Sequence, residues 1–448
     1  MTTLTTLFAT GFDPTTSAGL TGTYQTPGDK SISHRALLLG ALAQGTTVIN
    51  GLLPAGDILS TRQALQTLGI TIKTKGAVTE VSGQGGWRFQ PVQEKIELDL
   101  GNSGTTTRLL LGLLARQRFT SHLRGDISLS QRPLADIIEP LSEMGAKFQT
   151  VTATLPLSIA PNQWLNGLRY RLPVASAQLK SALILAALQA DQPSVFWELA
   201  PTRDHTERLL RLFGAQVLTN AGKIQVTPQR RPLQAQKLTI PGDPSSAAFM
   251  ICAALLRPNS ELTIANHSLN PTRTGLLRLL QDLGAPITIL PASQTGTVEP
   301  AADILVKTWS RPSGTIRIDQ HNLGGLIDEV PLLALLATQL PGTSVITDAE
   351  TLRHKETDRL AVISEQLRLF GGQIDEQPAG LIIHGGSALQ VPTVADLDSH
   401  GDHRIAMMLV IAELLVKAKL PIRGLNSIAI SNPTFLTDLV RALAGGRS

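Results

Sequence analysis

Two kinds of hydrophobic pattern alternate along the chain, and each occurs six times. The first opens on a polar or Gly-containing entry and then runs through Ala, Leu, Ile and Met. Its copies are DKSISHRALLLGALAQG (29–45), GNSGTTTRLLLGLLA (101–115), SAQLKSALILAALQA (176–190), DPSSAAFMICAALL (243–256), IDEVPLLALLATQLPG (327–342) and GDHRIAMMLVIAELL (401–415). Apolar runs of roughly 10–14 residues with little period-two alternation predict buried helices rather than strands. The second kind follows each copy of the first: DILSTRQALQTLGITI, QRPLADIIEPLSEMGAKF, TRDHTERLLRLFGAQV, NPTRTGLLRLLQDLGAPITI, KETDRLAVISEQLRLFGGQI and NPTFLTDLVRALAG. Leu at i, i+3 and i+4 with charges opposite predicts half-exposed helices, and the Gly after most of them suits the residue just past a helix end. Short runs such as TTVINGL, KLTIPGD and GTSVITD lie between and predict strands.

Recurrence at a period of roughly 70–85 residues marks repeats, each reading as strand, buried helix, strand, exposed helix and a strand or strand pair. A single core stops growing at about 250–300 residues, so a chain of 448 must divide. The copies in the two halves look alike, which predicts an α/β (α+β) protein of two similar domains with three units in each. A new unit opens near IPGD (240–243), and a second crossing falls near Pro27–Gly28. The expected domains are therefore 28–241 and, discontinuously, 1–27 plus 242–448.

Composition narrows the function. Charged residues make up 17% of the chain and the net charge is only +4, with no run of five Lys or Arg and no aromatic interleaving, so no nucleic-acid partner is expected. No stretch approaches the roughly 18 uninterrupted apolar residues of a membrane span. The N-terminal MTTLTTLFATGFDPTTSAG has no basic region ahead of an apolar one, so no membrane partner and a cytoplasmic location are expected. The single cysteine, Cys252, lies in AAFMICAALL and reads as a buried hydrophobe; it excludes a disulfide framework and a multi-cysteine metal site.

Polar residues gather at the predicted starts of the buried helices, where unpaired N–H groups and a partial positive charge favour anions. If the buried helices of a domain run parallel, their starts converge on one face, and two such faces would enclose an anion-seeking cleft. In DKSISHRAL, Ser31 and Arg35 share a face with Lys30 just ahead; an ordinary cap by Asp29 or Ser31 with surface cations accounts for the same residues. GNSGTTTR holds two glycines and a capping Asn or Ser, which a tight strand-to-helix turn also needs. In LRHKETDRL, Lys355 and Arg359 are i, i+4 neighbours on a predicted helix start, with Arg353 near and Glu356 a partial offset. Like charges so placed cost about 0.2–0.5 kcal/mol, a penalty an anionic ligand removes. GDHRIAMM repeats the pattern with Asp402, His403 and Arg404. Asp328 and Glu329 start the helix DEVPLLALLA, either as caps or as acids that exchange protons among cations. Lys30, Arg35, Arg132, Arg203, Lys355, Arg359 and Arg404 against Asp328 and Glu356 imply a substrate with more than one anionic group.

Eight motifs in order, PGDKSISHRAL, LDLGNSGTTTRLLLG, QRPL, PVASAQLKSALILA, TRDHTE, LIDEVPLLALLA, LRHKETDRL and GDHRIAM, resemble those of the 5-enolpyruvylshikimate-3-phosphate synthase family, the 3-phosphoshikimate 1-carboxyvinyltransferases, across nearly the whole chain. The resemblance implies two domains, each of three βαβαββ units, with the active-site cleft between them. It implies transfer of the enolpyruvyl group of phosphoenolpyruvate to the 5-hydroxyl of shikimate 3-phosphate through a tetrahedral intermediate. No metal, no cofactor and a monomer go with it. Lys30, Ser31, Arg35, Ser176, Ala177, Gln178, Arg203, Asp328 and Lys355 match the family's shikimate 3-phosphate positions. Lys30, Asn102, Gly104, Arg132, Gln178, Arg359 and Arg404 match its phosphoenolpyruvate positions. The resemblance further implies that Lys355 bridges the two substrates and that the catalytic set is Asp328, taking the 5-hydroxyl proton, Glu356, moving the proton at the methylene carbon, and Lys30.

Ala177 stands where many members have a second Ser, with Arg203 as its compensation, and Ile430 where many have a lysine; both point to the family's second branch. Glyphosate competes with phosphoenolpyruvate in this family, and Gly104 implies sensitivity. Two rivals remain at this point. The enolpyruvyl transferase acting on UDP-N-acetylglucosamine shares the six-unit fold but carries a reactive cysteine on a mobile loop. An anion-binding module without catalysis would gain nothing from Asp328 and Glu356.

Overall fold

The computed structural model describes residues 11–91, 93–291, 298–393 and 397–445. The first ten residues of the expected 1–27 segment lie outside them. Two compact units divide the chain. One holds the described residues of Met1–Pro27, Pro241–Thr295 and Glu299–Ser448; the other holds Gly28–Ile240 with Val298.

In chain order, β1 (Thr21–Gln25) precedes the contiguous unit. Its first repeat is α1 (Lys30–Leu42), β2 (Ala43–Asn50), α2 (Gly56–Thr67), β3 (Thr71–Lys75) and β4 (Val78–Gln84). The second is β5 (Lys95–Asp99), α3 (Gly104–Leu114), β6 (Thr120–Arg124), the short α4 (Ile127–Ser130), α5 (Ala135–Glu143), β7 (Phe148–Gln149) and β8 (Leu157–Ile159). The third is β9 (Arg169–Arg171), α6 (Ala177–Ala187), β10 (Ser194–Trp197), α7 (His205–Leu212), β11 (Val217–Asn220) and β12 (Lys223–Val226), followed by β13 (Leu233–Gln234) and β14 (Lys237–Thr239).

The discontinuous unit continues with α8 (Pro244–Leu256), β15 (Glu261–Ser268), α9 (Gly275–Asp282), β16 (Ile287–Ile289) and β17 (Ala301–Lys307). Then come β18 (Arg317–Ile318), α10 (Val330–Gln339), β19 (Thr343–Ile346), α11 (Arg359–Leu369), β20 (Gln373–Gln377) and β21 (Gly380–His384). It ends with β22 (Leu397–Asp398), α12 (His403–Val416), β23 (Ile422–Arg423) and α13 (Phe435–Leu443).

The sheets repeat one topology: a parallel pair joined through a buried helix, then an antiparallel hairpin whose second strand returns to the centre. The orders β5-β6-β8-β7, β11-β12-β10-β9 and β18-β19-β21-β20 show it, and in the sixth repeat the described strands are the parallel pair alone. β1 completes the sheet of the fourth repeat, pairing parallel with β15 from Thr21↔Glu261 to Gln25↔Ala265. β14 pairs parallel with β2, Leu238 opposite Ile49.

Each unit encloses one core, built from the buried helices and the inner faces of its sheets. Leu37, Leu110 and Leu183 lie in one, and Phe249, Leu333 and Leu409 in the other. Burial of such a side chain stabilises by about 1.5–3 kcal/mol. Close helix packing sets a composition requirement at Gly112 on α3. A Cβ there would lie 2.2 Å from the Ala182 carbonyl oxygen of α6, so only glycine allows this approach. Among the described residues no helix is long and apolar enough to cross a membrane.

One buried acid makes stability depend on pH. Glu413 on α12 is pushed up from 4.5 to about 7, chiefly by burial, although the Leu420 N–H at 2.8 Å and the nearby Lys419 charge act the other way. A folded-state pKa above the unfolded one favours folding below about pH 4.5, and that contribution is lost as pH rises through 7. We therefore expect Glu413→Gln, which keeps the acceptor for Leu420, to raise Tm more at pH 8 than at pH 5. Thermal melts across this range check it; equal shifts at both pH values would contradict it.

Candidate functional site

Five of the six buried helices start on a side-chain cap: Asp29 for α1, Ser103 for α3, Ser176 for α6, Asp243 for α8 and Asp402 for α12. Each cap satisfies one of the orphan N–H groups of a helix mouth. The sixth, α10, begins with Pro331 in its first turn, and the carboxylate of Glu329 instead accepts a hydrogen bond from Ser245 at the mouth of α8.

In the contiguous unit these mouths are knitted together by side chains. Lys30 Nζ lies 2.9 Å from Asp57 Oδ2 at the start of α2. Asp57's backbone oxygen accepts from Thr106 of α3 at 3.5 Å, and Thr106 in turn meets Thr61 and Ser103, each at 2.6 Å. Thr61 also meets His34 Nδ1 at 2.7 Å. Burial first, then the charges of Lys30 and Arg35, hold the His34 imidazole well below the ordinary range, so it is neutral.

Arg35 is buried. Its Nη1 donates to the Ser31 carbonyl at 2.9 Å, its Nε to Thr206 of α7 at 2.6 Å and its Nη2 to Ser181 of α6 at 2.8 Å. Gln178 Nε2 on α6 reaches Thr105 of α3 at 3.1 Å. Arg132 Nη2 donates to Asn102 Oδ1 at 2.9 Å, and Asn102 Nδ2 donates to Asp126 at 2.6 Å. Gly104 opens α3, and a Cβ on it would lie 3.1 Å from Arg132 Nη1. Ala177 is the first residue of α6, and Arg203 lies half-buried just ahead of α7.

The discontinuous unit has its own knot. Arg359, the first residue of α11, is 1% exposed; its Nε donates to Asp402 Oδ2 at 2.7 Å and its Nη2 to Glu356 at 2.6 Å. Its Nη1 makes no hydrogen bond, and the Asp328 carboxylate stands 3.7 Å away. Burial alone would lower the Arg359 pKa, but the charges of Asp402, Glu356 and Asp328 overturn this and raise it. Arg404 Nη1 donates to the Asp328 carbonyl at 3.0 Å, and its Nη2 is 3.5 Å from the Asp328 carboxylate. A carboxylate is thus held against two cations without a tight hydrogen bond to either. That arrangement suits a group that must take a proton beside bound anions.

Two local readings of the sequence need correction. Lys355 and Glu356 are not on a helix: a 3-10 turn covers Glu350–His354, Lys355 is extended, and α11 starts at Arg359. Asp358 sets this boundary by accepting from Ala361 N at 3.1 Å, so the cost assigned to an i, i+4 pair of cations does not arise. Likewise Asp328 lies ahead of α10 rather than in its first turn. Asp57, Thr61, Thr105, Thr106, Asp126, Ser181 and Thr206 carry the networks; Thr105, Thr106, Ser181 and Thr206 lie inside three of the eight motifs, but nothing in those motifs singles them out. Only Asp57, at the mouth of a second-kind helix, offered a signal, since the anion-at-helix-start argument applies there too.

Lys30, Ser31, Arg35, Asn102, Gly104, Arg132, Ser176, Ala177, Gln178 and Arg203 all belong to the contiguous unit, and Asp328, Lys355, Glu356, Arg359 and Arg404 to the other. Ile430 ends the 3-10 turn Leu425–Ile430. Cys252 is buried and its thiol is pushed up to about 12, first by burial and then by Glu329, which leaves it unreactive. A groove of about 590 Å³ over β6 and β8, lined by His122, Arg124 and Ser158 among others, holds none of the site residues. Among the described residues no group of three His, Cys, Asp or Glu side chains has metal-binding geometry.

Known proteins resemble the chain along its length. The family described as EPSP synthase (3-phosphoshikimate 1-carboxyvinyltransferase) matches residues 14–439. The 3-phosphoshikimate 1-carboxyvinyltransferase of Leuconostoc citreum is 46% identical over 428 residues, covering 95% of this chain and 98% of its own. That of Lactiplantibacillus plantarum is 46% identical over 430 residues, covering 96% and 98%. A solved EPSP synthase from Acinetobacter baumannii superposes with a TM-score of 0.81 at 37% identity, covering 95% of this chain and 96% of its own. The enolpyruvyl transferase NikO from Streptomyces tendae shares the fold at a TM-score of 0.77 and 16% identity, covering 95% of both chains.

Proposed function

The chain belongs to the EPSP synthase family, and on that premise we propose that it transfers the enolpyruvyl group of phosphoenolpyruvate to the 5-hydroxyl of shikimate 3-phosphate, releasing phosphate. The observation that carries the chemistry is the Asp328 carboxylate set 3.5 and 3.7 Å from Arg404 and Arg359, the latter with a buried Nη1 that makes no hydrogen bond. A buried donor left so is costly, and an oxygen of an anionic substrate would satisfy it.

With phosphoenolpyruvate's charge beside Arg359, Glu356 starts as the protonated acid; the 5-hydroxyl oxygen bonds to C2 of phosphoenolpyruvate while Asp328 takes its proton and Glu356 gives its own to the methylene carbon. The tetrahedral intermediate then loses phosphate as the bond between C2 and the phosphate ester oxygen breaks. Glu356 takes back a methyl proton, and the proton on Asp328 leaves with phosphate. Lys30, Ser31, Arg35, Ser176, Gln178 and Arg203 hold shikimate 3-phosphate, with Ala177 beside them. Asn102, Gly104, Arg132, Arg359 and Arg404 serve phosphoenolpyruvate, and Lys30, Gln178 and Lys355 serve both substrates. Bringing two mutually repelling anions together is where the cations act, and positioning of this kind can supply several kcal/mol. The same reading makes the protein a cytoplasmic, monomeric, metal-independent enzyme of aromatic amino-acid biosynthesis.

Phosphate release from phosphoenolpyruvate in EDTA, with shikimate 3-phosphate or with UDP-N-acetylglucosamine, tests the reading. Release with the shikimate alone is expected. Release with the sugar nucleotide alone, or with neither, would overturn it.

Gly104 gives a second test, tied to glyphosate, which we propose binds in place of phosphoenolpyruvate. An Ala Cβ at 3.1 Å from Arg132 Nη1 shifts a flexible side-chain end by a few tenths of an ångström, while the helix itself accepts Ala readily. Gly104→Ala is therefore expected to keep its Tm, raise KM for phosphoenolpyruvate about tenfold and raise the inhibitory glyphosate concentration at least as much. Unchanged inhibition curves would contradict the placement of Gly104.

A further inference from the structure

We propose that Thr206, together with Ser181, is a positioning residue for the acceptor substrate and acts through Arg35. The inference rests on the reading of the contiguous unit as the shikimate 3-phosphate side. A guanidinium recognises an anion through the direction of its N–H groups, so an arginine that can rotate binds less well than one whose plane is fixed. Arg35 is fixed from three sides, at Nε by Thr206 Oγ1 (2.6 Å), at Nη2 by Ser181 Oγ (2.8 Å) and at Nη1 by the Ser31 carbonyl (2.9 Å). The two hydroxyls also bond each other at 2.6 Å, which orients both.

The hydroxyls are themselves anchored. Ser181 donates to the Ala177 carbonyl at 2.6 Å. Thr206 and its neighbour Glu207 lie in the first turn of α7, where Glu207 pairs at 2.8 Å with Lys180 of α6; both side chains are 1% exposed. Glu198 closes this pair from β10's end at 3.0 Å from Lys180. A buried ion pair is expensive to break and defines one geometry, so α7 cannot slide on α6 without losing it. Lys180 and Glu207 thereby set the distance at which Thr206 and Ser181 meet Arg35.

Thr206→Val removes the hydroxyl and keeps the volume. We expect KM and Kd for shikimate 3-phosphate to rise about tenfold to a hundredfold, the range for one lost hydrogen bond to a charged group, with KM for phosphoenolpyruvate near wild type and Tm lowered by a few degrees, because the buried Arg35 Nε loses its acceptor. Thr206→Ser should restore wild-type affinity. In an Arg35→Gln background Thr206→Val should cost little more, because the two act as one unit. Titration calorimetry with shikimate 3-phosphate, steady-state kinetics and thermal melts on the full-length chain read these out. Unchanged Kd in Thr206→Val overturns the inference while leaving the proposed reaction standing. So does an equal loss for both substrates, which would mark a merely structural role. A wild-type protein that neither binds nor turns over shikimate 3-phosphate overturns the proposed function and this inference with it.

Discussion

Replacing Asp328 by Asn is expected to lower kcat for phosphate release about a thousandfold, the middle of the range for a lost general base, with both KM values within severalfold of wild type. The reason lies in what Asn keeps and what it loses. Its side chain has the same shape, and the backbone carbonyl that accepts from Arg404 at 3.0 Å is untouched. Only the charge and the proton-accepting oxygen go. Loss of a negative charge 3.5 and 3.7 Å from two arginines makes their surroundings more positive, so the anionic substrates should bind no less tightly. The signature is a fall in kcat with KM for phosphoenolpyruvate flat or lower. A variant retaining more than a tenth of wild-type kcat would remove Asp328 from the proton transfer.

Arg359→Leu is expected to act on stability as well as on activity. In the wild type this one guanidinium balances Asp402, Glu356 and Asp328, and Asp402 is fully buried. Its removal strands a buried carboxylate, at a cost of about 3–5 kcal/mol. For a unit of this size that corresponds to a Tm loss of roughly 10 °C in the transition of the discontinuous unit. Turnover should become undetectable in the same assay. Arg359→Leu with Asp402→Asn should recover most of the lost Tm and none of the activity, which separates the two effects. A single variant that melts like wild type would show that the pairing contributes nothing net to stability.

Much of the fold could be read from spacing because each signal was local. Ten or more consecutive apolar residues leave no polar face, so those helices had to be internal, and Asp29, Ser103, Ser176, Asp243 and Asp402 stand where a capping side chain must stand. The misplaced start of α11 shows the limit of such reasoning. KETDRL contains only residues that tolerate a helix, and nothing in it outweighs that tolerance until Asp358 is seen to cap. At α10 the boundary was available from Pro331, which suits a first turn and forbids an interior position. The cations and acids of the site were visible as charges out of place at helix mouths. Their pairings were not. Thr206 lies 171 residues from Arg35, and Asp402 lies 43 from Arg359. Neither separation means anything until repeats stack and helix starts come together.

The pairing of β1 with β15 also bears on synthesis at the ribosome. Every strand of the contiguous unit has emerged once β14 is made, because all of them lie between residues 28 and 240. The other unit owns an N-terminal strand that is made first and finished last, since Thr21 finds Glu261 only some 240 residues later. At about 5–20 residues per second this is a wait of roughly 10–50 s. Throughout it the nascent chain carries a strand with unpaired edges while its neighbour folds behind it.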